Sequence, residues 1–275
     1  MSFSFFETKD IRTRHDACQA KVAAAETSVT DDLFDITGRV VLVTGAASGL
    51  GRSLARALAV RGANLELVDR TSIGAAASSG LDAVVHVADL TDEPAIKAVV
   101  EDILRRRGRL DAVVNCAGVF RIGPALKLTL EDFRASLDVN VAGAFIISRL
   151  AARAMAASGG RIVHLASVSS HVSNEQYAAY ASSKAALSHL VRVLAREWAC
   201  QDITVNAIGP ALTETGMTGS LLSDPSARDA ALSVIPMGRF GTPEDLLGAL
   251  LLLISPAGGF ITGQTIYVDG GRTLV

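Results

Sequence analysis

The stretch "YASSKAAL" at residues 180–187 puts a phenol and an ammonium four positions apart, with only small residues between them. On a helix, positions i and i+4 share a face, so Tyr180 and Lys184 are expected to point the same way. A free phenol has a pKa of roughly 10. A nearby ammonium favours the phenolate and lowers that value, which would make Tyr180 a usable acid/base near neutral pH. Small residues at 181–183 allow close approach by a ligand and by neighbouring strands. Many amphipathic helices carry a Tyr and a Lys on one face without chemistry, so the pair acquires meaning only from what surrounds it.

A second constellation is "VTGAASGLG" at residues 43–51. Gly45, Gly49 and Gly51 lie between a β-branched run and an Ala/Leu helix pattern. A glycine-rich strand-to-helix turn lets main-chain N–H groups approach a pyrophosphate, which then sits on the helix N-terminus. The spacing is a variant of the dinucleotide fingerprint, in the strand-then-helix context that the fingerprint requires. Asp69 ends the next strand pattern, about 20 residues on, where a carboxylate accepts from ribose hydroxyls and repels a 2′-phosphate. That predicts NAD rather than NADP. Arg70 beside it is the counter-signal and is read as a surface or adenine-stacking residue. Asp89 either caps the following helix or lies beside the adenine. Asn115 and Gly118, in "NCAG", either let the cofactor cross the sheet edge or, for Asn115, tie strands together.

Other reactive types are sparse. Cys18, Cys116 and Cys200 match no metal or redox spacing and read as free thiols. His164 and His189 have no nearby metal-ligand type, and no metal is expected. His171 falls in the loop after Ser167, where it could touch substrate.

These residues need elements to hold them. The 275-residue chain has 49% hydrophobic but only 5% aromatic residues, so its core is built from Ala, Val, Leu and Ile. The net charge of −2 gives no basic field for nucleic acid or an anionic membrane. From Arg39 onward, β-branched runs alternate with Ala/Leu-rich stretches. Seven strands are predicted, in "RVVLVTG", "ANLELVD", "DAVVHVAD", "DAVVNCAG", "GRIVHLAS", "ITVNAIG" and "QTIYVDGG". Helices are expected at about 49–61, 92–107, 129–157, 179–200 and 243–254. The alternation indicates an α/β fold: a doubly wound, mostly parallel seven-stranded sheet with helices on both faces, in one domain over 38–275. Residues 70–81 are too short and Gly/Ser-rich for a full helix. Residues 1–37 read as an N-terminal arm, mobile or packed on a neighbouring subunit. The longest apolar run, 246–254, is short of the roughly 20 residues that span a bilayer, and no secretory signal is evident. A cytoplasmic location is expected.

Taken in order, the motifs resemble the short-chain dehydrogenase/reductase family across residues 38–271. "TGAASGLG" is similar to its glycine loop, with Ser48 and Leu50 among the cofactor contacts. "VADL" supplies Asp89 and Leu90. "NCAG" supplies Asn115, Ala117 and Gly118, with Cys116 where the family has a second asparagine. "VNVAGAF" supplies Asn140, "IVHLAS" Ser167 and "YASSK" Tyr180 and Lys184. "NAIGPALTET" resembles the segment that holds the nicotinamide amide, through Pro210, Thr213 and Thr215, with Ala211 replacing the usual glycine. The resemblance implies a Rossmann-type fold and hydride transfer between NAD(H) and a secondary alcohol or ketone. Tyr180 would move the proton. Ser167, with Ser169 and Ser170 nearby and chemically able, would orient the oxygen. Lys184 would lower the phenol pKa and bind the nicotinamide ribose, and Asn140 would hold a relay water.

Three stretches are expected around the substrate: 119–125, 169–176 and a lid at about 213–240. Met217, Leu221 and Leu222 offer an apolar ceiling, and Arg121, Glu175 and Gln176 could recognise hydroxyls or a carboxylate. A sugar, polyol, keto acid or cyclic alcohol would fit. Two rivals stand: a dinucleotide-sensing protein without turnover, which would be expected to lose Tyr180 or Lys184, and an epimerase or dehydratase, which is usually longer. Ala/Leu on several faces of the helices at 129–157 and 179–200 suggests a homotetramer.

Overall fold

The computed structural model describes residues 32–72, 83–213 and 223–275. Seven strands form one sheet: β1 Val40–Thr44, β2 Asn64–Asp69, β3 Ala83–Val87, β4 Ala112–Asn115, β5 Gly160–Leu165, β6 Ile203–Pro210 and β7 Thr265–Val268. Their order is β3-β2-β1-β4-β5-β6-β7, and every pair is parallel. Strand order reverses between β1 and β4. In an open α/β sheet a ligand binds at that switch point, outside the carboxyl ends of the strands.

β1 shows why these residues make a central strand. Val40 and Leu42 face one hydrophobic cluster, Val41 and Val43 the other, and all are buried. Such two-sided burial requires the continuous apolar run seen in the sequence. One face is covered by α1, Gly49–Ala59, and α7, Pro243–Ile254, through Leu54, Leu58, Leu246 and Leu250. The other is covered by α2, Glu93–Arg107, α4, Ala144–Met155, and α5, Ala178–Trp198, through Ile96, Ile103, Ile147 and Val191. Asp92 caps α2 by accepting from Ala95 N at 3.0 Å, and Gly108, at φ 72°, ends it.

The helix expected at 129–157 is three pieces in one run: α3, Leu130–Leu137, a π-helical turn, Asp138–Gly143, and α4. By length and apolarity alone Leu130–Met155 could cross a membrane, but half of its most apolar window is buried within the fold. The π turn carries Asn140. α6, Pro225–Ser233, supplies the helical part of the expected lid.

The end of the stretch read as an arm packs on the domain. Ile36 is buried in the cluster with α1 and α7, and Leu33 O accepts from Ala257 N at 2.9 Å. Residues 1–31, residues 73–82, which hold most of the reduced helix or loop expected over 70–81, and Thr215, Met217, Leu221 and Leu222 lie outside the described residues.

Candidate active site

A groove of about 710 Å³ runs along the carboxyl edge of the sheet. Its near end is the glycine turn. Gly45 has φ +66°, and a Cβ there would meet Ala117 N at 2.8 Å. A Cβ on Gly51 would meet Gly45 O at 2.2 Å. Both positions therefore exclude any side chain, and the loop is pressed onto the start of α1. Ser48 is the N-cap of α1 in extended conformation, yet its side chain caps no N–H. That leaves first-turn donors facing the groove, an arrangement suited to a pyrophosphate. Ser48, Gly49, Leu50, Asp69, Arg70, Asp89, Leu90, Ala117 and Gly118 all line it. The residues present thus fit a nicotinamide dinucleotide.

Asp69 is already partly engaged. Its Oδ2 accepts from Ala47 N at 3.0 Å, and its Oδ1 from Thr71 N and Thr71 Oγ1, both at 3.0 Å. Asp89 does not cap α2, which Asp92 does. Instead it closes a turn by accepting from Thr91 N at 2.8 Å and Thr91 Oγ1 at 2.6 Å. Those bonds, with the Arg70 charge beyond them, hold its carboxyl below the ordinary value.

Asn115 does not line the groove, and here the structure settles two open readings. Its Oδ1 accepts from Thr44 Oγ1, and its Nδ2 meets His164 Nδ1 at 3.0 Å. His164 Nε2 in turn meets Ser148 Oγ at 2.9 Å, and Ser148 donates to Ala144 O. This chain ties β1, β4, β5 and α4 together, so the Asn115 side chain joins strands. Burial pushes the His164 pKa down to about 3 and keeps the ring neutral.

The reactive cluster is at the centre of the groove. Ser167 follows β5, Tyr180 and Lys184 lie on α5, and all three line the same space. Ser167 Oγ accepts from Ser169 N at 3.1 Å. Lys184 Nζ donates to Leu165 O at 2.6 Å and sits 5.7 Å from the centre of the Tyr180 ring. Asn140 is spent as a strut: Oδ1 accepts from Val119 N at 2.8 Å, and Nδ2 donates to Val119 O at 3.0 Å and Ser183 Oγ at 2.9 Å. Ser183, one of the small residues between Tyr180 and Lys184, donates to Tyr180 O at 2.7 Å.

The expected lowering of the phenol pKa is reversed. Burial pushes Tyr180 up to about 12, against a hydrogen bond with Ser167, and pushes Lys184 down to about 8. Removal from water disfavours both charged forms. Nζ is turned toward the Leu165 carbonyl, and desolvation is the largest cause of both shifts.

The substrate end also differs from expectation. Tyr177, which precedes the helix expected from about 179, lines the groove, with its ring 5.4 Å from Phe120 and 6.2 Å from Tyr180. The i, i+3 spacing from Tyr180 was the available signal. Glu175, Gln176 and His171 are exposed and do not line the groove, whereas Arg121 does. Asn174 and Arg272, neither singled out from the sequence, line it as well. Pro210, Ala211 and Thr213 form the facing wall, where Thr213 Oγ1 donates to Ala211 O at 3.1 Å. Burial pushes the Cys116 thiol up to about 12, so it remains a neutral thiol.

A family model described as Enoyl-(Acyl carrier protein) reductase matches residues 45–273. D-threitol dehydrogenase from Mycolicibacterium smegmatis is 37% identical over 258 residues, 91% of this chain and 98% of that protein. The structure of gluconate 5-dehydrogenase from Burkholderia cenocepacia J2315, in complex with NADP and tartrate, superposes with a TM-score of 0.85 at 33% identity. That match covers 89% of this chain and 98% of that one. A short-chain type dehydrogenase/reductase from Mycobacterium marinum gives 0.83 at 34%, covering 89% and 99%. With that glycine turn, and with Ser167, Tyr180 and Lys184 on one groove, the chain belongs to the short-chain dehydrogenase/reductase family and is an oxidoreductase that uses a nicotinamide dinucleotide.

Proposed function

We propose that this protein is an NAD-linked dehydrogenase that interconverts a small polyhydroxylated secondary alcohol and its ketone. The observation that carries the reading is the shared groove, which places Ser167, Tyr180 and Lys184 beside the glycine turn and Asp69. The relatives named for threitol and gluconate support a sugar- or polyol-sized substrate. A nicotinamide dinucleotide held by the glycine turn and Asp69 would supply the hydride acceptor for the alcohol, or the hydride donor for the ketone. Ser167 holds the substrate oxygen, and Tyr180 receives or delivers the hydroxyl proton. At neutral pH the raised phenol pKa keeps Tyr180 protonated, the form needed to deliver a proton to a ketone. The Asn140 strut keeps the α5 face in register with the loop that follows β4.

NAD is the reading for the cofactor because Asp69 lines the adenosine end. Arg70 and the NADP-bound Burkholderia structure favour the alternative. A homotetramer is inferred from Leu130, Phe145 and Val193, exposed on α3, α4 and α5, and from fully exposed Phe260. A monomeric mass in light scattering would reject it.

The test is an NAD-linked absorbance screen of polyols, sugars and sugar acids with purified protein. Turnover of at least one class, abolished by Tyr180→Phe, upholds the reading. Tight NADH binding with no turnover of any class would instead identify a dinucleotide-sensing protein.

A further inference from the structure

The charges on the groove walls are unevenly distributed. The two carboxylates in the lining, Asp69 and Asp89, stand at the ends of β2 and β3 beside Arg70. Around Ser167 and Tyr180 the charged lining, besides Lys184, is Arg121 and Arg272. Among the described residues no Asp or Glu lines that half. Arg121 is exposed and leans on Asp132 at 3.7 Å. Arg272 is half-buried, and its position is fixed twice over.

The first constraint is on the main chain. Asp269 accepts from Gly271 N at 3.0 Å and from Thr273 N at 2.8 Å, which locks the turn that carries Arg272. The second is on the side chain. Arg272 Nη2 donates to Asn174 Oδ1 at 3.1 Å and Nη1 to the main-chain oxygen of Val275 at 3.1 Å. Asn174 belongs to the loop between Ser167 and Tyr177 and lines the groove itself. Asn174 is a neutral partner, and the Val275 oxygen belongs to the exposed α-carboxyl group of the last residue, a solvent-facing pairing that engages one donor. A guanidinium has five N–H donors, so three are left. A planar fork held in place matches a carboxylate better than a hydroxyl, because it can offer two parallel donors together with its charge.

We propose that Arg272 binds a carboxylate on the substrate, so that the enzyme acts on small hydroxy acids of the aldonic type ahead of neutral polyols. This rests on the dehydrogenase reading and names the substrate class for that same site. Asn174 aims the guanidinium, and Arg121, nearer solvent, adds attraction without a fixed geometry.

The experiment compares kcat/KM for aldonates and alditols of matched chain length in wild type, Arg272→Ala and Arg272→Lys. NADH titration of each variant serves as the check that the groove is folded. Wild type is expected to favour aldonates. In Arg272→Ala the aldonate-over-alditol ratio should fall by about ten- to hundredfold, the range for one charge-assisted hydrogen bond, chiefly through KM. Arg272→Lys should recover part of the ratio. If wild type prefers alditols, or the ratio survives Arg272→Ala, the substrate proposal falls while the dehydrogenase reading stands. If neither series is turned over, the dehydrogenase reading fails for these substrates. Calorimetric titration of an aldonate into the NADH-bound protein then decides: binding lost in Arg272→Ala upholds the carboxylate site, and no binding overturns it.

Discussion

Glu66 and Lys184 are both buried, and their surroundings are opposite. Glu66, on β2, is fully buried yet surrounded by donors. His86 Nε2 lies 2.9 Å from its Oε2, Arg106 reaches both oxygens at 3.1 and 2.7 Å, and Arg107 Nε donates at 3.0 Å. Burial alone would raise its pKa, but hydrogen bonds from His86, Arg106 and Arg107 bring it down to about 2. Lys184 is almost as buried and, among the described residues, has one hydrogen-bond acceptor, the Leu165 carbonyl. Its charged form is disfavoured, and its pKa falls to about 8. A buried charge with complete partners joins elements, here β2, β3 and α2. A buried charge with incomplete partners is left able to change state, and it stands in the groove beside a phenol in the same condition.

The comparison breaks first if the incompletely partnered groups prove dispensable. Tyr180→Phe keeps the ring against Phe120, 4.8 Å away, and removes only the oxygen. Turnover should fall by about 10²–10⁴-fold, with NADH binding retained in a fluorescence titration. Tyr177 is the other phenol in the described lining. Near-normal activity in Tyr180→Phe, removed by adding Tyr177→Phe, would transfer the proton to Tyr177.

The two charges should also respond to removal with opposite signs. Glu66→Gln leaves Arg106 and Arg107 facing a neutral group. Breaking a buried pair costs about 3–5 kcal/mol, and the lower end applies because both arginine side chains are one-quarter exposed. The melting temperature should drop by several degrees, with turnover changed little. Because the folded pKa is depressed, wild type draws this stability above about pH 4.5 and loses it as pH falls toward 2. Lys184→Met should do the reverse: turnover is lost and the melting temperature rises. Losing the donor to Leu165 O costs about 1 kcal/mol, against roughly 3 recovered by not burying an ammonium whose pKa has dropped from 10.5 to about 8. Between pH 8 and 10.5 the unfolded chain holds a proton that the folded one has released. Raising the pH there favours the wild-type fold and closes the gap to Lys184→Met. Calorimetry of both variants across pH decides it, and a Lys184→Met protein that melts lower than wild type at pH 7 would show the lysine to be structural.

What the sequence made legible follows the same division. The glycine turn, Asp69 and the Tyr180–Lys184 pair are local features, set by main-chain space or by helical period, and their grouping was readable. So was the alternation that builds the sheet. The missed features depend on residues far apart in the chain. Arg272 acquires its meaning from Asn174, 98 positions away, and Glu66 from Arg106, 40 positions away. The Asn115 question was decided by His164, across β4 and β5. The sign of the Tyr180 shift depends on how much water the fold removes, and a spacing of four residues says nothing about that. Tyr177 is different, since its offset of three from Tyr180 was readable, although it precedes the helix start expected at about 179.

Asp69 lies between the two extremes, and it carries the smallest predicted effect. Of roughly four acceptor sites on a carboxylate, three are taken by Ala47 N, Thr71 N and Thr71 Oγ1. The carboxylate is therefore held at the rim of the groove with about one site to offer. That is enough to accept one ribose hydroxyl, and its full negative charge opposes a 2′-phosphate in the same place. At an effective dielectric near 20, charges about 4 Å apart repel by roughly 4 kcal/mol. Solvent at this partly exposed rim, and Arg70 beside it, reduce that figure. A residue of about 1.4 kcal/mol is a tenfold preference for NAD. Asp69→Ala also frees the N–H of Ala47 in the glycine turn, so both cofactors should lose some efficiency. The ratio of kcat/KM for NAD and NADP cancels that common loss and should fall from about tenfold toward one. A wild type that uses NADP as well as NAD would mean that Arg70 governs the rim, and the charge on Asp69 would then belong with Glu66, spent on holding the fold.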